Sequence, residues 1–77
     1  MKMFCISDNI DTALGLKLTG VESIVAQSEE EINEQIKKVL KDKEIGILVV
    51  TDNIYKMAQY ELDEVMEKYK LPLLVKI

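Results

Sequence analysis

Short apolar runs alternate along this chain with segments of helical periodicity. The runs are rich in β-branched residues and too short for stable helices, so each predicts a strand. They are Lys2–Ser7, Glu22–Ala26, Ile45–Val50 and Leu71–Ile77. Ile45–Val50 is continuously apolar, which is typical of a central parallel strand with helices on both faces. Pro72 belongs at the start or the edge of a strand, because proline cannot donate to a strand ladder.

The segment Thr12–Leu18 predicts a short first helix. Asp11 is placed to act as its N-cap, and Gly20 is placed to end it. Gly15 is unusual inside this helix, since glycine costs about 1 kcal/mol relative to alanine in a helix interior. We therefore expect the helix to approach a neighbour so closely at Gly15 that a side chain would not fit.

Two further helices follow from apolar residues that recur on one helical face. The second opens with Ser28 and Glu31, which have the spacing of a capping box. Its apolar positions are Ile32, Ile36, Val39 and Leu40. The third is predicted as one continuous helix ending near Lys70, with apolar positions Ile54, Ala58, Leu62, Val65, Met66 and Tyr69.

The predicted elements alternate as βαβαβαβ, which indicates a single α/β domain spanning residues 1–77. Right-handed crossovers between parallel strands then favour a four-stranded parallel sheet of order 2-1-3-4. The expected architecture has three layers, α/β/α, in a flavodoxin-like or Rossmann-like arrangement. The first helix lies on one face of the sheet, and the other two lie on the opposite face.

Composition excludes several classes of function. The net charge is −4 with ten lysines and no arginine, whereas phosphate backbones are bound by clustered Lys and Arg, so no nucleic-acid partner is expected. The apolar runs are too short to cross a bilayer, and the first residues enter a strand directly instead of forming a signal peptide. We therefore expect a cytoplasmic protein without direct membrane insertion.

Few side chains are suited to catalysis or to holding a cofactor. The chain has no histidine, so the commonest general base and transition-metal ligand is missing. Cys5 is the single cysteine and lies in an apolar strand, where we expect a small buried hydrophobe. No glycine-rich phosphate loop is present. The sequence thus predicts no catalytic residues, no bound metal and no cofactor.

Two aspartates require a closer look, because ligands of open α/β sheets bind beyond the carboxyl ends of the strands where the winding reverses. Asp8 and Asp52 follow the first and third strands at that place. Response-regulator receivers carry magnesium-binding and phosphate-accepting acids at corresponding positions, so a receiver-like phospho-acceptor is an alternative function. The lysine and hydroxyl residues that receivers need on later strands are missing here. A simpler interpretation is that Asp8 or Asp11, and Asp52 or Asn53, cap the helices that they precede.

The order of these segments resembles the F subunit of V-type ATP synthases, the A/V-type enzymes of archaea and bacteria. The resemblance is carried by Ser7-Asp8, by Thr12–Val21 with its Gly-Leu-x-Leu-Thr-Gly segment, by the Ser28-Glu29-Glu30 helix start, by Ile47–Thr51 and by Lys70–Leu73. It covers nearly the whole chain. Leu16 stands where that family usually has phenylalanine, and the family's C-terminal helical tail has no counterpart before Ile77.

This resemblance implies a non-catalytic central-stalk subunit that turns with the rotor. Its expected partner is the coiled-coil D subunit of the stalk and, through it, the catalytic A/B head, with ATP turnover coupled to proton or sodium transport. A third alternative is a protein-binding module of the same topology with another partner.

The fourth predicted strand is the candidate for partner binding, because it is an outer strand with almost no charge. Leu73, Val75 and Ile77 are the residues expected to bind a partner there, or to self-associate. Ile24, on the opposite outer strand, is the next candidate and is expected to be exposed.

Overall fold

Strands and helices alternate throughout the computed structural model, which describes all residues from Met1 to Ile77. The elements are β1 (Lys2–Ser7), α1 (Ile10–Leu18), β2 (Glu22–Val25), α2 (Glu29–Lys41), β3 (Ile45–Val50), α3 (Asp52–Met57), α4 (Gln59–Lys68) and β4 (Leu73–Lys76). The strands form one sheet of order β2-β1-β3-β4 in which every neighbouring pair is parallel. The predicted fold class and strand order are confirmed.

The main core lies between the sheet and α2, α3 and α4. On β1 it takes Phe4 and Ile6, and on β3 it takes Leu48 and Val50, which are alternate positions of each strand. The helices contribute further buried residues, among them Ile32, Ile36, Ile54 and Leu62. The remaining helix, α1, packs mainly against β1 and β2. Its single buried residue, Ala13, lies outside this core, as expected for a helix on the opposite face.

The start of α2 follows the predicted capping box with one change. The Ser28 hydroxyl accepts a hydrogen bond from the Glu31 backbone N–H at 3.1 Å. The Glu31 carboxylate, however, accepts from the backbone N–H of Gln27 at 2.9 Å, one residue before the cap. The carboxylate thus fixes the backbone at Gln27, just before the helix. Its negative charge also interacts favourably with the positive N-terminal end of the helix dipole.

The predicted third helix is two helices, so that prediction was wrong in detail. The chain leaves helical geometry at Ala58, where φ is −128° and ψ is 34°. Backbone bonds still bridge the break, because Ala58 N–H donates to Ile54 and Ala58 C=O accepts from Leu62. The Ala58 side chain is fully buried. The break lets α3 and α4 both pack on the sheet, and a one-residue kink leaves the apolar periodicity almost unchanged.

Gly20 ends α1 as predicted. Its φ is +90°, a conformation that glycine adopts readily. The Gly20 N–H donates to the Lys17 carbonyl and the Val21 N–H donates to the Leu16 carbonyl, both at 3.0 Å. This pair of bonds is the Schellman arrangement, which satisfies carbonyls at the end of a helix.

The predicted close approach at Gly15 is wrong. A Cβ built on Gly15 would meet no neighbouring atom within 4 Å, and its φ is not positive. Glycine therefore confers no packing advantage on the isolated domain. It only adds backbone freedom to the unfolded chain and weakens α1.

Gly15→Ala is therefore expected to raise the free energy of unfolding by about 0.5–1 kcal/mol. Chemical denaturation followed by circular dichroism would measure the change. Gly20→Ala is the matched control on the same helix, and it should destabilise, because alanine is strained at a φ of +90°. A loss of stability in Gly15→Ala would indicate an unseen contact at this position.

Candidate functional site

The carboxyl ends of β1 and β3 are joined by a polar network centred on Asp8. One oxygen of the Asp8 carboxylate, Oδ1, accepts a hydrogen bond from the Thr51 hydroxyl at 2.6 Å. The other, Oδ2, accepts from the Asn53 side-chain amide at 2.9 Å. Both carboxylate oxygens at the switch point of the sheet are thus engaged within the protein.

The helices at this edge are capped by other residues than predicted. Asn9 caps α1, since its side-chain oxygen accepts from the N–H groups of Asp11 and Thr12 at 2.8 and 3.1 Å. Thr51 caps α3 through a longer 3.5 Å bond from the Ile54 N–H. The prediction that the aspartates act as caps is therefore wrong. Helices α1 and α3 both begin earlier than predicted. Asp11 and Asp52 therefore lie inside the first turns, and Asp8 lies before the cap of α1.

Asp11 and Asp52 nevertheless lie where a negative charge stabilises a helix start. Asp52 also forms an i,i+4 ion pair with Lys56 at 3.1 Å on the surface. Asp8 and Asp52 therefore bond to different partners, and neither hydrogen-bonds to the other. No group of three or more His, Cys, Asp or Glu side chains is close enough to hold a metal ion.

Hydrogen bonding lowers the pKa of Asp8 below the usual value for an aspartate. The bond from Thr51 is the largest cause, and the bond from Asn53 adds to it. Both donors favour the charged form of the carboxylate. Asp8 thus acts as an anionic link between the loops that follow β1 and β3.

Asp8→Asn is expected to lower the free energy of unfolding at neutral pH by about 0.5–1 kcal/mol, a modest loss because the group is largely solvent-screened. Since the pKa of Asp8 is lower in the folded state, its contribution is complete above the unfolded pKa of about 4 and is lost as the pH falls through the folded pKa. Unfolding curves at several pH values should show wild type and variant converging in acid. Asp52→Asn is the control. A difference that persisted unchanged at low pH would contradict this role of the Asp8 charge.

Cys5 is fully buried, as predicted, and burial raises the pKa of its thiol. It lies in the middle of β1, between β2 and β3. A buried thiol with a raised pKa is a poor nucleophile, so the residue acts as a small apolar group.

The predicted partner-binding residues of β4 share one exposed face. Leu73, Val75 and Ile77 are 57%, 42% and 55% exposed, and they alternate along the strand. The intervening residues lie on the other face. Leu74 packs against the core, and the ammonium of the exposed Lys76 lies 4.6 Å from the centre of the Tyr55 ring.

Met3 on β1 and Ile47 on β3 occupy the same face of the sheet as these β4 residues, because their strand neighbours belong to the core. Met3 is exposed and Ile47 is half-buried. We call Met3, Ile47, Leu73, Val75 and Ile77 together the open sheet face. Parallel sheets are normally covered on both faces. Val49 of β3 lies on this same face and is only 4% exposed, so the exposure is concentrated on β4 and at Met3.

Ile24, the remaining candidate for partner binding, is not exposed as expected. It is half-buried and packs against the main core. Strand alternation explains this, because the register pairs Ile24 with Ile6, and both side chains point to the covered face.

A second exposed stripe of apolar side chains, on α1, was not predicted from the sequence. Ile10, Leu14 and Leu18 recur at intervals of four along α1 and are 63%, 51% and 88% exposed. The spacing of Leu14 and Leu18 from Ile10 was the available signal that all three share the outer side of the helix.

No helix of the chain is both long and apolar enough to span a membrane. Comparison with known proteins gives a consistent result over almost the whole length. The family described as "ATP synthase (F/14-kDa) subunit" matches residues 3–77. The chain is also similar to the F subunit of the A-type ATP synthase of Methanothrix thermoacetophila, with 31% identity over 70 residues, which cover 90% of this chain and 71% of that relative.

Proposed function

The chain belongs to the ATP synthase (F/14-kDa) subunit family, and from this membership we propose that it acts as the non-catalytic F subunit in the central stalk of an A/V-type ATP synthase. Its direct partner is then the coiled-coil D subunit of the stalk, which links it to the catalytic A/B head. The protein turns with the rotor at the cytoplasmic side of the membrane. The family match over residues 3–77 is the observation that carries this proposal.

The structure supports a binding role over a chemical one. At the switch point, where an α/β sheet usually binds ligands, both oxygens of the Asp8 carboxylate already accept hydrogen bonds, from Thr51 and Asn53. Exposed apolar side chains lie instead on the open sheet face and on the outer side of α1, with others on α3 and α4. Such surfaces bury apolar area on contact with another protein, which is the main driving force of association.

The proposed mechanism is mechanical. A rigid domain fixed to a rotating shaft transmits torque through a packed interface and needs no reacting group. The rigidity comes from the four-stranded sheet with its central strands β1 and β3 and from the link between Asp8 and Thr51. Coupling between ATP turnover and transport of protons or sodium then depends on the fit between this domain and the shaft.

Reconstitution tests the proposal. An ATP synthase complex assembled without this chain should still hydrolyse ATP at its catalytic head, with ion transport per ATP reduced. Addition of the purified chain should restore transport, whereas the chain alone should show no ATPase activity. Unchanged coupling in its absence, or hydrolysis by the isolated chain, would overturn the proposal.

A further inference from the structure

Strand β4 has an outer edge that no other strand of the sheet pairs with. β4 stands last in the strand order, and β3 is its one extensive neighbour. The opposite outer strand differs, because β2 packs against α1. Proteins usually blunt a free edge with charge, a bulge or a covering element, since such an edge pairs readily with another chain. β4 has a regular pairing with β3 and a single charged residue, Lys76.

The bonds to β3 identify the backbone groups on this outer edge. The Ile77 N–H donates to the Val50 carbonyl at 2.9 Å, and the Ile77 carbonyl accepts from the Asp52 N–H at 3.0 Å. Successive residues of a strand direct these groups to opposite sides, so every second residue back from Ile77 also faces β3. The N–H and C=O groups of Leu74 and Lys76 therefore face outward, where they can bind another strand.

These outward groups are self-complementary. In an antiparallel pair of strands, residues that exchange two hydrogen bonds alternate with residues that exchange none. When two copies of β4 are related by a twofold axis at Val75, Leu74 of each copy lies opposite Lys76 of the other and exchanges both bonds with it. An axis at Leu74 would instead place Lys76 opposite Pro72, which has no N–H and precedes the strand. The axis at Val75 is thus the one that satisfies every outward group of β4.

The side chains suit the same arrangement. Val75 lies opposite Val75 of the second copy, and Leu73 lies opposite Ile77 of the second copy, on the exposed face of the strand. Apolar pairs of this kind stabilise neighbouring strands. On the other face, Lys76 lies opposite a leucine, so the two ammonium groups are not directly opposed. Each ammonium lies over the Tyr55 ring of its own copy, 4.6 Å from the ring centre.

We propose that the free chain forms a twofold dimer in which two copies of β4 pair antiparallel about Val75 and join two four-stranded sheets into one. The assembly is closed, because the axis uses the β4 edge of both copies. A strand of this length buries less than the roughly 1,200 Å² of a stable interface, so we expect a dissociation constant on the order of 0.1 mM. Dimer formation is independent of the proposed stalk role.

Sedimentation equilibrium measures the self-association of the unaltered chain. The 8.8 kDa monomer should predominate near about 10 µM, and the dimer should predominate near about 1 mM. A chain that stays monomeric throughout this range would overturn the proposed dimer.

Lys76→Pro tests whether the outward backbone groups carry the contact. Proline removes one outward N–H and leaves the bonds to β3 in place, a position at which edge strands tolerate it. The dissociation constant of the dimer should rise about 30-fold, because each copy loses one hydrogen bond to the other. Lys76→Ala is the matched control, since it removes the same charge and keeps the N–H, and its dissociation constant should stay within about threefold of wild type. Circular dichroism melts show whether both variants fold.

Disulfide crosslinking tests the direction and register without the proline variant. Opposed residues that exchange no hydrogen bonds have Cα atoms about 4.5 Å apart, within the range of a disulfide. Val75→Cys should therefore form crosslinked dimers when oxidised by glutathione disulfide. Leu73→Cys is the matched control on the same face, because the two copies of residue 73 lie about 13 Å apart along the strands. It should crosslink at least about tenfold more slowly, and Cys5 should not react, because it is fully buried.

The outcomes distinguish edge pairing from other contacts. A Lys76→Pro variant that dimerises as well as Lys76→Ala would overturn the proposed pairing and indicate a contact through side chains alone. Equal crosslinking of Leu73→Cys and Val75→Cys would also overturn it, since that result indicates parallel pairing or random collision. None of these results bears on the stalk role, which is tested by binding of the coiled-coil protein.

Discussion

Leu62→Ala is expected to lower the free energy of unfolding by about 2–5 kcal/mol, the usual range for a fully buried leucine. Leu62 is 1% exposed and belongs to the core between α4 and the sheet. The loss combines reduced apolar burial with the cavity that remains. A domain of 77 residues has a total stability of roughly 4–12 kcal/mol, so much of it would disappear.

Met66→Ala provides the control on the same helix, one turn further on. Met66 is 52% exposed, so the same truncation should cost less than about 0.5 kcal/mol. Urea unfolding of the two variants, with wild type alongside, measures both effects. Equal losses would mean that α4 packs through a different face from the one that the structure shows.

Thr51→Val is expected to destabilise by about 1–3 kcal/mol, although valine has nearly the same shape. The hydroxyl caps α3 and donates the 2.6 Å hydrogen bond to the Asp8 carboxylate. Removal of the hydroxyl eliminates both interactions at a residue that is only 9% exposed. The same change should move the pKa of Asp8 back towards its ordinary value, since the bond from Thr51 is the main cause of its depression.

Carboxyl NMR titration of wild type and variant follows the pKa of Asp8 directly, and thermal unfolding follows stability. Thr19→Val serves as the control, because its hydroxyl donates only to the exposed Leu16 carbonyl at the end of α1. A Thr51→Val variant that retained both stability and the low pKa of Asp8 would show that the link across the switch point is unimportant.

The fold was predictable because the hydrophobic pattern and the capping residues indicate the same order of strands and helices. The continuous apolar run at β3 identified a central strand, and the Ser28–Glu31 pair located the start of α2. Parallel strands with right-handed crossovers then left the order 2-1-3-4 as the simplest arrangement, which the structure confirms. The break at Ala58 was not predictable in this way, because α3 and α4 continue one apolar periodicity.

The details of the surface depended on tertiary geometry that local patterns do not specify. Several residues near Asp8 could act as caps on sequence grounds, and the choice of Asn9 and Thr51 follows from where each helix begins. Ile24 was assigned to the surface because β2 is an outer strand, yet its position in the register directs it to the core. Gly15 was predicted to lie against a neighbour, and the space around it is open.

The central claim is that this chain acts by binding a coiled-coil shaft protein. Size-exclusion chromatography with light scattering on a mixture of the purified chain and the coiled-coil stalk protein tests it most directly. The account predicts one stable complex whose mass exceeds that of the shaft protein by one copy of this 8.8 kDa chain. Two separate peaks at micromolar concentrations of both proteins would contradict it.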